Sequence, residues 1–358
     1  MRHSSRLTLL AFALAAGILP ASAQSTGGFD TEVLADGLNH PWGLDFLPDG
    51  GAIVTERPGR MRLLTAGQLS EPVAGLPKVA ARGQGGLLDV AVSPNFAGDS
   101  LIFFSFSEPG ADGAGTAVAR ARLVRDGANA RLEDVRTIFS MNRKTRTRQH
   151  FGSRLVFAPD GTLFVTTGDR GDAERAHPDG TIPEDNPKPD GWLPELWSKG
   201  HRNVQGAVYD PVTDGLIAIE HGAMGGDEIN RAEAGRNYGW PVISYGRHYS
   251  GGKIGVGTAA DGYEQPLHYW DPSIAPSGAA VYQGEMFPEW EGDLLTGSLK
   301  FDYLARLQRD GSGAIGAEEK LLAGEHGRIR DVRVAPDGSV WLLTDERDGA
   351  VIRLSRED

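Results

Sequence analysis

The sequence predicts an all-β fold, a six-bladed β-propeller of mostly four-stranded antiparallel blades. Two observations lead to this prediction. Gly and Pro contribute 49 and 21 of the 358 residues, a turn-rich composition that lacks the Gly-X-Y period of collagen. In addition, an apolar strand, a short turn and a second apolar strand recur six times along the chain. Repeats of this kind are typical of propellers, in which each blade is one supersecondary unit.

The six repeats have the chemistry of β-hairpins. β-Branched and aromatic residues flank turns in which Pro presets φ and Gly supplies a positive φ. The turn prolines are spaced at about 58 residues on average, a suitable length for one blade. The predicted hairpins are Leu44–Val54, Leu88–Phe104, Leu155–Val165, Ala207–Ile219, Ala279–Thr296 and Val332–Leu343.

Closure of the ring is predicted from the two ends of this pattern. We expect Phe29–Leu34 to pair beside the last strand, Ala350–Leu354, and so to complete the final blade. A two-sheet sandwich or a pair of all-β domains is the alternative. Helical periodicity is scarce and no G-x-G-x-x-G opens a helix, so the sequence does not favour a Rossmann domain.

Composition also excludes several classes of function. The chain has no Cys, which rules out disulfides, zinc ribbons, iron–sulfur clusters and a thiol nucleophile. Its net charge of −12 argues against nucleic-acid partners and against anionic membranes, because both require a basic surface.

The N-terminus has the three parts of a secretory signal peptide. A basic start at Arg2 and Arg6 precedes the apolar run Leu7–Leu19 and the small-residue cleavage site Ala21–Ala23. The apolar run is too short to span a bilayer.

We therefore predict a signal peptide at residues 1–23 and a single catalytic propeller domain at residues 24–358. Loss of the two leader arginines changes the net charge from −12 to −14. No later segment is long and apolar enough to cross a membrane, so we expect a protein without a membrane span that is exported, most simply to a bacterial periplasm.

Polar residues precede two of the hairpins. His150 stands before the third hairpin and is suited to act as a general base near neutral pH, although a lone His is more often a packed or surface residue. Arg202 and Asn203 precede the fourth hairpin. They are suited either to hold an anionic planar ligand or to brace the loop.

A Gly-rich acidic loop follows the fourth hairpin. In Glu220–Asn230, glycines leave backbone carbonyls free to converge, while Asp227 and Glu228 add carboxylate oxygens. Many oxygen ligands in a flexible loop suit calcium. The spacing is not that of an EF-hand, which leaves an ordinary acidic turn as an equal alternative.

Basic residues complete the pattern. Arg328 and Arg330 share one face of a strand and can clamp a carboxylate or phosphate, or else form a salt-bridged strand edge. Lys300 and Gln84 stand at comparable points of other repeats. Together, cations and one His at the blade entrances of an acidic protein predict a polyanionic planar cofactor, held with calcium in the central channel.

In this order, the segments resemble those of the soluble PQQ-dependent aldose sugar dehydrogenases, relatives of soluble glucose dehydrogenase. The resemblance covers essentially the whole chain after the leader. It rests on Asn39–Gly43, Gly83–Val90, His150–Leu155, Arg202–Asn203, Gly225–Asn230, Asn237–Pro241 and Arg328–Val332.

The resemblance implies a six-bladed propeller that binds pyrroloquinoline quinone (PQQ) over its channel. It assigns His150 as the base that takes the proton from the C1 hydroxyl of an aldose, while a hydride passes to the quinone and a lactone forms. Arg202 would stabilise negative charge on the quinone oxygens. The cofactor-binding residues it implies are Gln84, His150, Arg202, Asn203, Lys300, Arg328 and Arg330.

The resemblance also implies two calcium ions. The carbonyls of Gly222 and Ala223 would bind the ion that bridges to the cofactor, and Glu228 with the Tyr238 carbonyl would bind a structural one.

The sequence departs from the family pattern at three points. Gln149 stands where relatives often have an acidic residue or Asn, and Ala223 replaces a frequent Pro. Only Arg170–Pro178 fills a gap where relatives have a strand-forming stretch, so one blade is expected to lack a strand or to have a remodelled face.

Two other functions compete with this prediction. One is a calcium-dependent propeller lactonase or esterase, which predicts several inward carboxylates around one ion. The other is a non-catalytic exported propeller that binds sugar or a protein. The sequence does not specify the preferred aldose, the electron acceptor, or whether the protein is a monomer or a homodimer.

Overall fold

A computed structural model describes residues 28–126, 129–170 and 196–357, together with Pro187, Pro189, Asp190 and Trp192. Their regular secondary structure is almost entirely β-strand, with a single helical turn α1 (Phe96–Asp99) and a 3₁₀ turn (Pro288–Trp290). In this part of the chain no helix has the length and apolar character needed to traverse a lipid bilayer. The predicted signal peptide, residues 1–23, lies outside the described residues.

The strands of the described residues form six antiparallel sheets. The strand that opens the hairpin repeat of each sheet is called its first strand, and the sheets are numbered in the chain order of these first strands. Sheet 1 contains β2 (Pro41–Phe46), β3 (Ala52–Glu56), β4 (Arg60–Thr65) and β5 (Gln68–Leu69). Sheet 2 contains β6 (Leu87–Val92), β7 (Leu101–Gly110), β8 (Gly113–Asp126) and β9 (Asn129–Ser140). Sheet 3 contains β10 (Gly152–Phe157) and β11 (Leu163–Thr167). Sheet 4 contains β12 (Val204–Asp210), β13 (Gly215–Glu220), β14 (Asp227–Arg231) and β15 (His268–Trp270). Sheet 5 contains β16 (Pro276–Val281), β17 (Leu294–Ser298), β18 (Leu304–Arg309) and β19 (Ile315–Leu321). Sheet 6 contains β20 (Ile329–Val334), β21 (Val340–Thr344), β22 (Gly349–Arg356) and β1 (Phe29–Leu38).

All six predicted hairpins are confirmed as the first two strands of a sheet. Five sheets are four-stranded, and sheet 3 has two strands among the described residues. The short segment expected to alter one blade follows β11. Residues 171–178 of that segment lie outside the described residues, so this expectation stays a prediction.

The first strands of the sheets form a closed ring of contacts. β2 contacts β6, and the contacts continue through β10, β12, β16 and β20 back to β2. This is a propeller arrangement, and the two-sheet sandwich considered as an alternative is wrong. The predicted closure is also confirmed, because β1 pairs antiparallel with β22, with Thr31 opposite Leu354. The chain ends are thereby held in one sheet, which removes two free strand edges.

The apolar core lies between neighbouring sheets. Sheets 1 and 2 bury a cluster that includes Ile53, Met61, Phe104 and Phe106. Comparable clusters lie between sheets 4 and 5 and between sheets 5 and 6. Packing of sheet face against sheet face leaves the starts of the first strands and the ends of the second strands directed toward one end of the ring.

A buried ionic cluster joins the first strands near the axis. The Arg154 side chain, 1% exposed, places Nη1 3.0 Å from Asp89 Oδ1 and 2.9 Å from Asp331 Oδ1. Its Nε donates to the Gln205 carbonyl at 2.7 Å. Asp331 also accepts the Leu44 N–H at 3.1 Å. Since these residues come from β2, β6, β10, β12 and β20, one cluster ties five of the six inner strands together.

We predict that Arg154→Ala lowers the free energy of unfolding by about 3 kcal/mol, because two buried carboxylates lose a shared cation. Urea unfolding of the purified protein measures this change. The matched control is Arg136→Ala, which removes an exposed Arg on the outer strand β9 and is expected to change stability by less than about 0.5 kcal/mol. Equal stability of the two variants would refute a structural role for the cluster.

Candidate active site

A cavity of about 780 Å³ lies at the end of the ring where the first strands begin. Its volume suits a single small-molecule ligand. The cavity is lined by His40, Trp42, Arg57, Gln84, Gln205, His221, Ala275, Leu299, Lys300, Asp302, Arg328, Arg330, Asp345 and Glu346. Gln84, Lys300, Arg328 and Arg330, all predicted from the sequence as cofactor-binding residues, are therefore brought together here.

Arg57 adds a fourth cation that sequence analysis missed. It follows the second strand of sheet 1, a position that the hairpin pattern treats as an ordinary strand end. Burial lowers the pKa of Arg57, and the nearby charges of Arg330 and Arg328 lower it further, whereas Asp345 opposes this shift. The Nε atoms of Arg57 and Arg330 are buried and have no hydrogen-bond partner in the described part of the chain. Both are donors available to an anionic ligand.

Asp345 is the carboxylate that balances part of this charge. Arg330 Nη2 donates to Asp345 Oδ2, and His40 Nδ1 lies 2.8 Å from Asp345 Oδ1. Arg328 Nη2 is more distant, at 3.7 Å. Burial opposes ionisation of Asp345, but the charge and hydrogen bond of Arg330 outweigh it and hold the pKa of Asp345 well below its ordinary value. Beside the cations, the cavity thus has one firmly ionised carboxylate, with Asp302 and Glu346 farther along its lining.

His150 lies at the same end of the ring and is 7% exposed. Its backbone has φ +55°, a left-handed conformation uncommon for a residue other than Gly. Gln84 Oε1 accepts the His150 backbone N–H at 2.7 Å, which links His150 to the cavity wall. His150 Nδ1 lies 2.6 Å from Asp169 Oδ1. Because the carboxylate accepts, Nδ1 carries the proton and Nε2 is left with a free lone pair, as a base requires.

Asp169 connects His150 to a second predicted residue. Trp240 Nε1 donates to the other carboxylate oxygen, Asp169 Oδ2, at 3.0 Å. The Trp240 ring centre is 5.3 Å from the Arg202 guanidinium. In addition, the Asp169 N–H donates to the Arg202 carbonyl at 2.9 Å. Contacts among four side chains therefore hold each of them in position: His150, Asp169, Trp240 and Arg202.

Arg202 and Asn203 do not line the large cavity but lie directly beside it. Arg202 Nη1 donates to the His221 carbonyl at 3.1 Å and to the Gly222 carbonyl. A side chain at position 222 would clash, since its Cβ would lie 2.2 Å from the carbonyl oxygens of Gly225 and Gly226. The absence of a side chain at position 222 thus allows the loop to point its backbone carbonyls at a cation, the Arg202 guanidinium. Asn203 is fully buried, and its Nδ2 has no partner among the described residues.

Glu228 and Tyr238 line a smaller pocket together with Gly222 and Arg202. Burial, and secondarily the charge of Glu220, raises the pKa of Glu228 to about 8. Asn230 Nδ2 donates to Glu220 Oε1 at 3.0 Å and to Glu228 Oε2 at 3.2 Å, while Asn230 Oδ1 is buried without a partner in the described part of the chain. Within those residues, no three His, Asp or Glu side chains cluster as metal ligands.

Comparison with known proteins identifies the family of this chain. Residues 38–353 match the family model described as glucose/sorbosone dehydrogenase. The chain belongs to this family.

Two relatives place the chain within the glucose/sorbosone dehydrogenase family. The aldose sugar dehydrogenase YliI of Escherichia coli is 43% identical over 91% of this chain and 92% of its own length. The apo crystal structure of the soluble aldose sugar dehydrogenase of E. coli superposes with a TM-score of 0.86 at 42% identity, covering 92% of this chain and 99% of that one.

A more distant solved structure contains a cofactor. The aldose sugar dehydrogenase of Streptomyces coelicolor, in its PQQ-bound form, is 27% identical with a TM-score of 0.73. It covers 91% of this chain and 98% of its own chain.

Sequence analysis of this family member missed Arg57, Asp169, Trp240, His221 and Asp345. Asp169 stands 19 residues after His150 and across one hairpin, and an acid at that distance from a candidate base is a signal that could have identified it. His221 and Asp345 follow second strands, a position at which the hairpin pattern by itself indicates no ligand-binding role.

His221 lines both pockets as a neutral side chain. Its Nε2 lies 2.6 Å from the Pro276 carbonyl, so Nε2 carries the proton. Burial lowers the pKa of His221 from 6.5 to about 4, and Arg330 and Arg202 act in the same direction.

We predict that His221 stays neutral, as the Nε2–H tautomer, until the pH falls to about 4. Because the unfolded chain takes up this proton near pH 6.5, stability should decrease as the pH falls from about 6.5 to 4. Long-range ¹H–¹⁵N spectra of ¹⁵N-His-labelled protein measure the titration, with His221→Gln used to assign the signal. Titration of this signal near pH 6.5 would contradict the prediction.

Proposed function

We propose that this protein oxidises the C1 hydroxyl of aldose sugars to lactones, with PQQ as hydride acceptor and calcium as a second cofactor. The observation that carries the proposal is the pair His150–Asp169, set directly beside a cavity lined by four cations. The names of the E. coli and S. coelicolor relatives support it.

We also propose that the six sheets are six blades of one propeller domain, residues 24–358, which is exported to the periplasm after loss of residues 1–23.

The residues present fit PQQ. The cofactor is planar and carries three carboxylates, and the cavity offers Lys300, Arg328, Arg330 and Arg57 to meet them. The unpartnered donors Arg57 Nε, Arg330 Nε and Asn203 Nδ2 support a ligand rich in acceptors. Gln84 lines the same cavity. When bound, the quinone supplies a hydride acceptor, which no amino-acid side chain provides.

His150 Nε2 takes the proton from the C1 hydroxyl of the sugar. Asp169 Oδ1 accepts the Nδ1–H and stabilises the imidazolium that results, which is the role of a carboxylate in a His–Asp pair. Arg202 places a fixed positive charge beside this pair and stabilises negative charge that develops during hydride transfer. Burial of His150 and Asp169 keeps water from competing for the proton.

Calcium fits the loop around Gly222. The Arg202 guanidinium donates hydrogen bonds to the carbonyls of His221 and Gly222, so this backbone is arranged to face positive charge. We propose that the carbonyls of Gly222 and Ala223 bind one calcium ion. Glu228 and the Tyr238 carbonyl would bind a second, near the unpartnered acceptor Asn230 Oδ1. An ion at that place would also relieve the cost of burying the charged form of Glu228.

The proposal is tested by reconstitution. The purified protein is mixed with PQQ and calcium, the cofactor spectrum is recorded, and dye reduction is followed with a panel of aldoses. We expect a spectral change on binding and sugar-dependent dye reduction that requires both additions. No spectral change on adding PQQ would remove the dehydrogenase proposal.

For the reconstituted enzyme, we predict that His150→Gln lowers kcat by about 10²- to 10⁴-fold, because proton removal loses its base. PQQ affinity should stay within a few-fold of the wild type. Stopped-flow reduction and a PQQ titration measure the two quantities. His248→Gln, at an exposed loop position, is the matched control. Near-normal turnover of His150→Gln would refute the assignment of the base.

We predict that Lys300→Ala weakens PQQ binding by about 10- to 100-fold, the value of one charge-assisted hydrogen bond. Lys300 is exposed and has no ion pair among the described residues, so its loss should leave the fold intact. Fluorescence titration without sugar measures the affinity, and Arg136→Ala on β9 is the control. Unchanged affinity in Lys300→Ala would count against this residue as a cofactor ligand.

A further inference from the structure

A row of exposed arginines lies outside the cavity, on the side of the His150 strand. Arg82, Arg146 and Arg148, called here the basic rim, are all exposed, and none of them forms an ion pair with another described residue. The segment from Met141 to Gln149 contains no acidic residue, in a chain whose net charge is −12. This concentration of positive charge is opposite in sign to the protein as a whole.

Two parts of the basic rim, at Arg82 and Arg148, adjoin the wall of the cavity through Gln84. The Gln84 N–H donates to the Arg148 carbonyl at 2.8 Å, and a Cβ at Gly83 would lie 2.4 Å from that same oxygen. The loop that carries Arg82 is therefore in direct contact with the segment that carries Arg148. Gln84 lines the cavity and also binds the His150 backbone, so the rim adjoins both the cavity and the base.

The positive charge continues inward from the rim. Arg57 Nη1 donates to the carbonyl of Gly83, the residue after Arg82, and Arg57 lies close enough to Arg328 and Arg330 to be affected by their charge. Acidic groups are few along this path. Glu108 pairs with Lys144 rather than with the rim, and Asp112 is on the turn that precedes β8. Asp345, Asp302 and Glu346 belong to the cavity lining, where Asp345 is paired with Arg330.

The rim is not needed for the ligands already considered. A neutral aldose gains no charge attraction from three exposed guanidinium groups, and the carboxylates of PQQ meet the four cations inside the cavity. Unpaired cations at the mouth of a cavity focus the field and raise the local concentration of anions. The one reactant that the proposed reaction still requires is an electron acceptor.

We propose that the basic rim is the docking site of an anionic one-electron acceptor. This inference rests on the proposed function. Oxidation of one aldose to its lactone releases two electrons and two protons. Two equivalents of the acceptor take up one electron each, and both protons pass to solvent, one of them from His150.

Binding to the rim is measured first, without any turnover. The probe is hexacyanocobaltate(III), a redox-inert trianion, titrated calorimetrically into the PQQ- and calcium-loaded protein at 20 mM and 200 mM NaCl. We expect the triple variant Arg82→Gln/Arg146→Gln/Arg148→Gln to bind the probe about tenfold more weakly at low salt. Arg136→Gln, an exposed Arg on β9, should bind it as the wild type does. Equal binding by the wild type and the triple variant would overturn the proposal.

Kinetics then test whether the rim acts on the acceptor. Sugar oxidation is followed with ferricyanide, a trianion, and with hexaammineruthenium(III), a trication. In the triple variant, kcat/KM should fall about tenfold for ferricyanide but not for the ruthenium complex, and KM for glucose should not change. An equal fall for both acceptors would overturn the proposal. A fall in kcat/KM that is confined to an anionic sugar such as glucuronate would also overturn the proposal, because the rim would then be a substrate site.

The binding and kinetic experiments together distinguish a failure of this inference from a failure of the proposed function. If neither acceptor is reduced by any sugar, the proposed function fails, and with it the assignment of the bound anion as an electron acceptor. If sugars are oxidised normally but the charge of the acceptor makes no difference in the triple variant, the function stands and the docking site is wrong.

Discussion

The buried guanidinium of Arg154 is the interaction on which the arrangement of the site depends. It joins carboxylates from two sheets and a carbonyl from a third, all of them on first strands. Most of the functional groups, His150, Asp169, Arg202 and Arg330 among them, stand at the start of a first strand or the end of a second strand. The relative positions of those groups are therefore set by how the inner strands meet, and a buried ion cluster fixes this geometry more narrowly than apolar packing between sheets does.

Within this arrangement, a chain of contacts connects sheets 3 and 4. His150 leads to Asp169, Asp169 to Trp240, Trp240 to Arg202, and Arg202 to the carbonyl of Gly222. The proposed base, the proposed stabiliser of negative charge and the proposed calcium loop are consequently not independent of one another. Energetic coupling between residues connected in this way is expected, and substitutions in the chain should not be additive.

Much of the fold could be predicted because turn chemistry is local. Each hairpin can be recognised within 11 to 18 residues of sequence, and the pairing of β1 with β22 follows from counting repeats. The site was predicted less completely. Residues before first strands, such as His150 and Arg330, were recognised, whereas Arg57 and Asp345 follow second strands and reach the cavity only because the ring brings distant strand ends together. Such contacts leave no trace in local sequence patterns. The role of Trp240 likewise depends on an atom-to-atom contact with a residue 71 positions away.

The pairing of β1 with β22 has a consequence for how the protein is made. Phe29 lies opposite Arg356, so the first strand to be synthesised has no partner until nearly the whole chain is complete. Sequence separations of this size slow folding. Throughout that interval both edges of β1 are open to capture by another chain, and the edge that faces β22 is covered only when this last eight-residue strand is added. A chain that lacks β22 would thus keep all its candidate catalytic residues and the contact of β20 with β2, but would leave β1 and one edge of β21 unpaired.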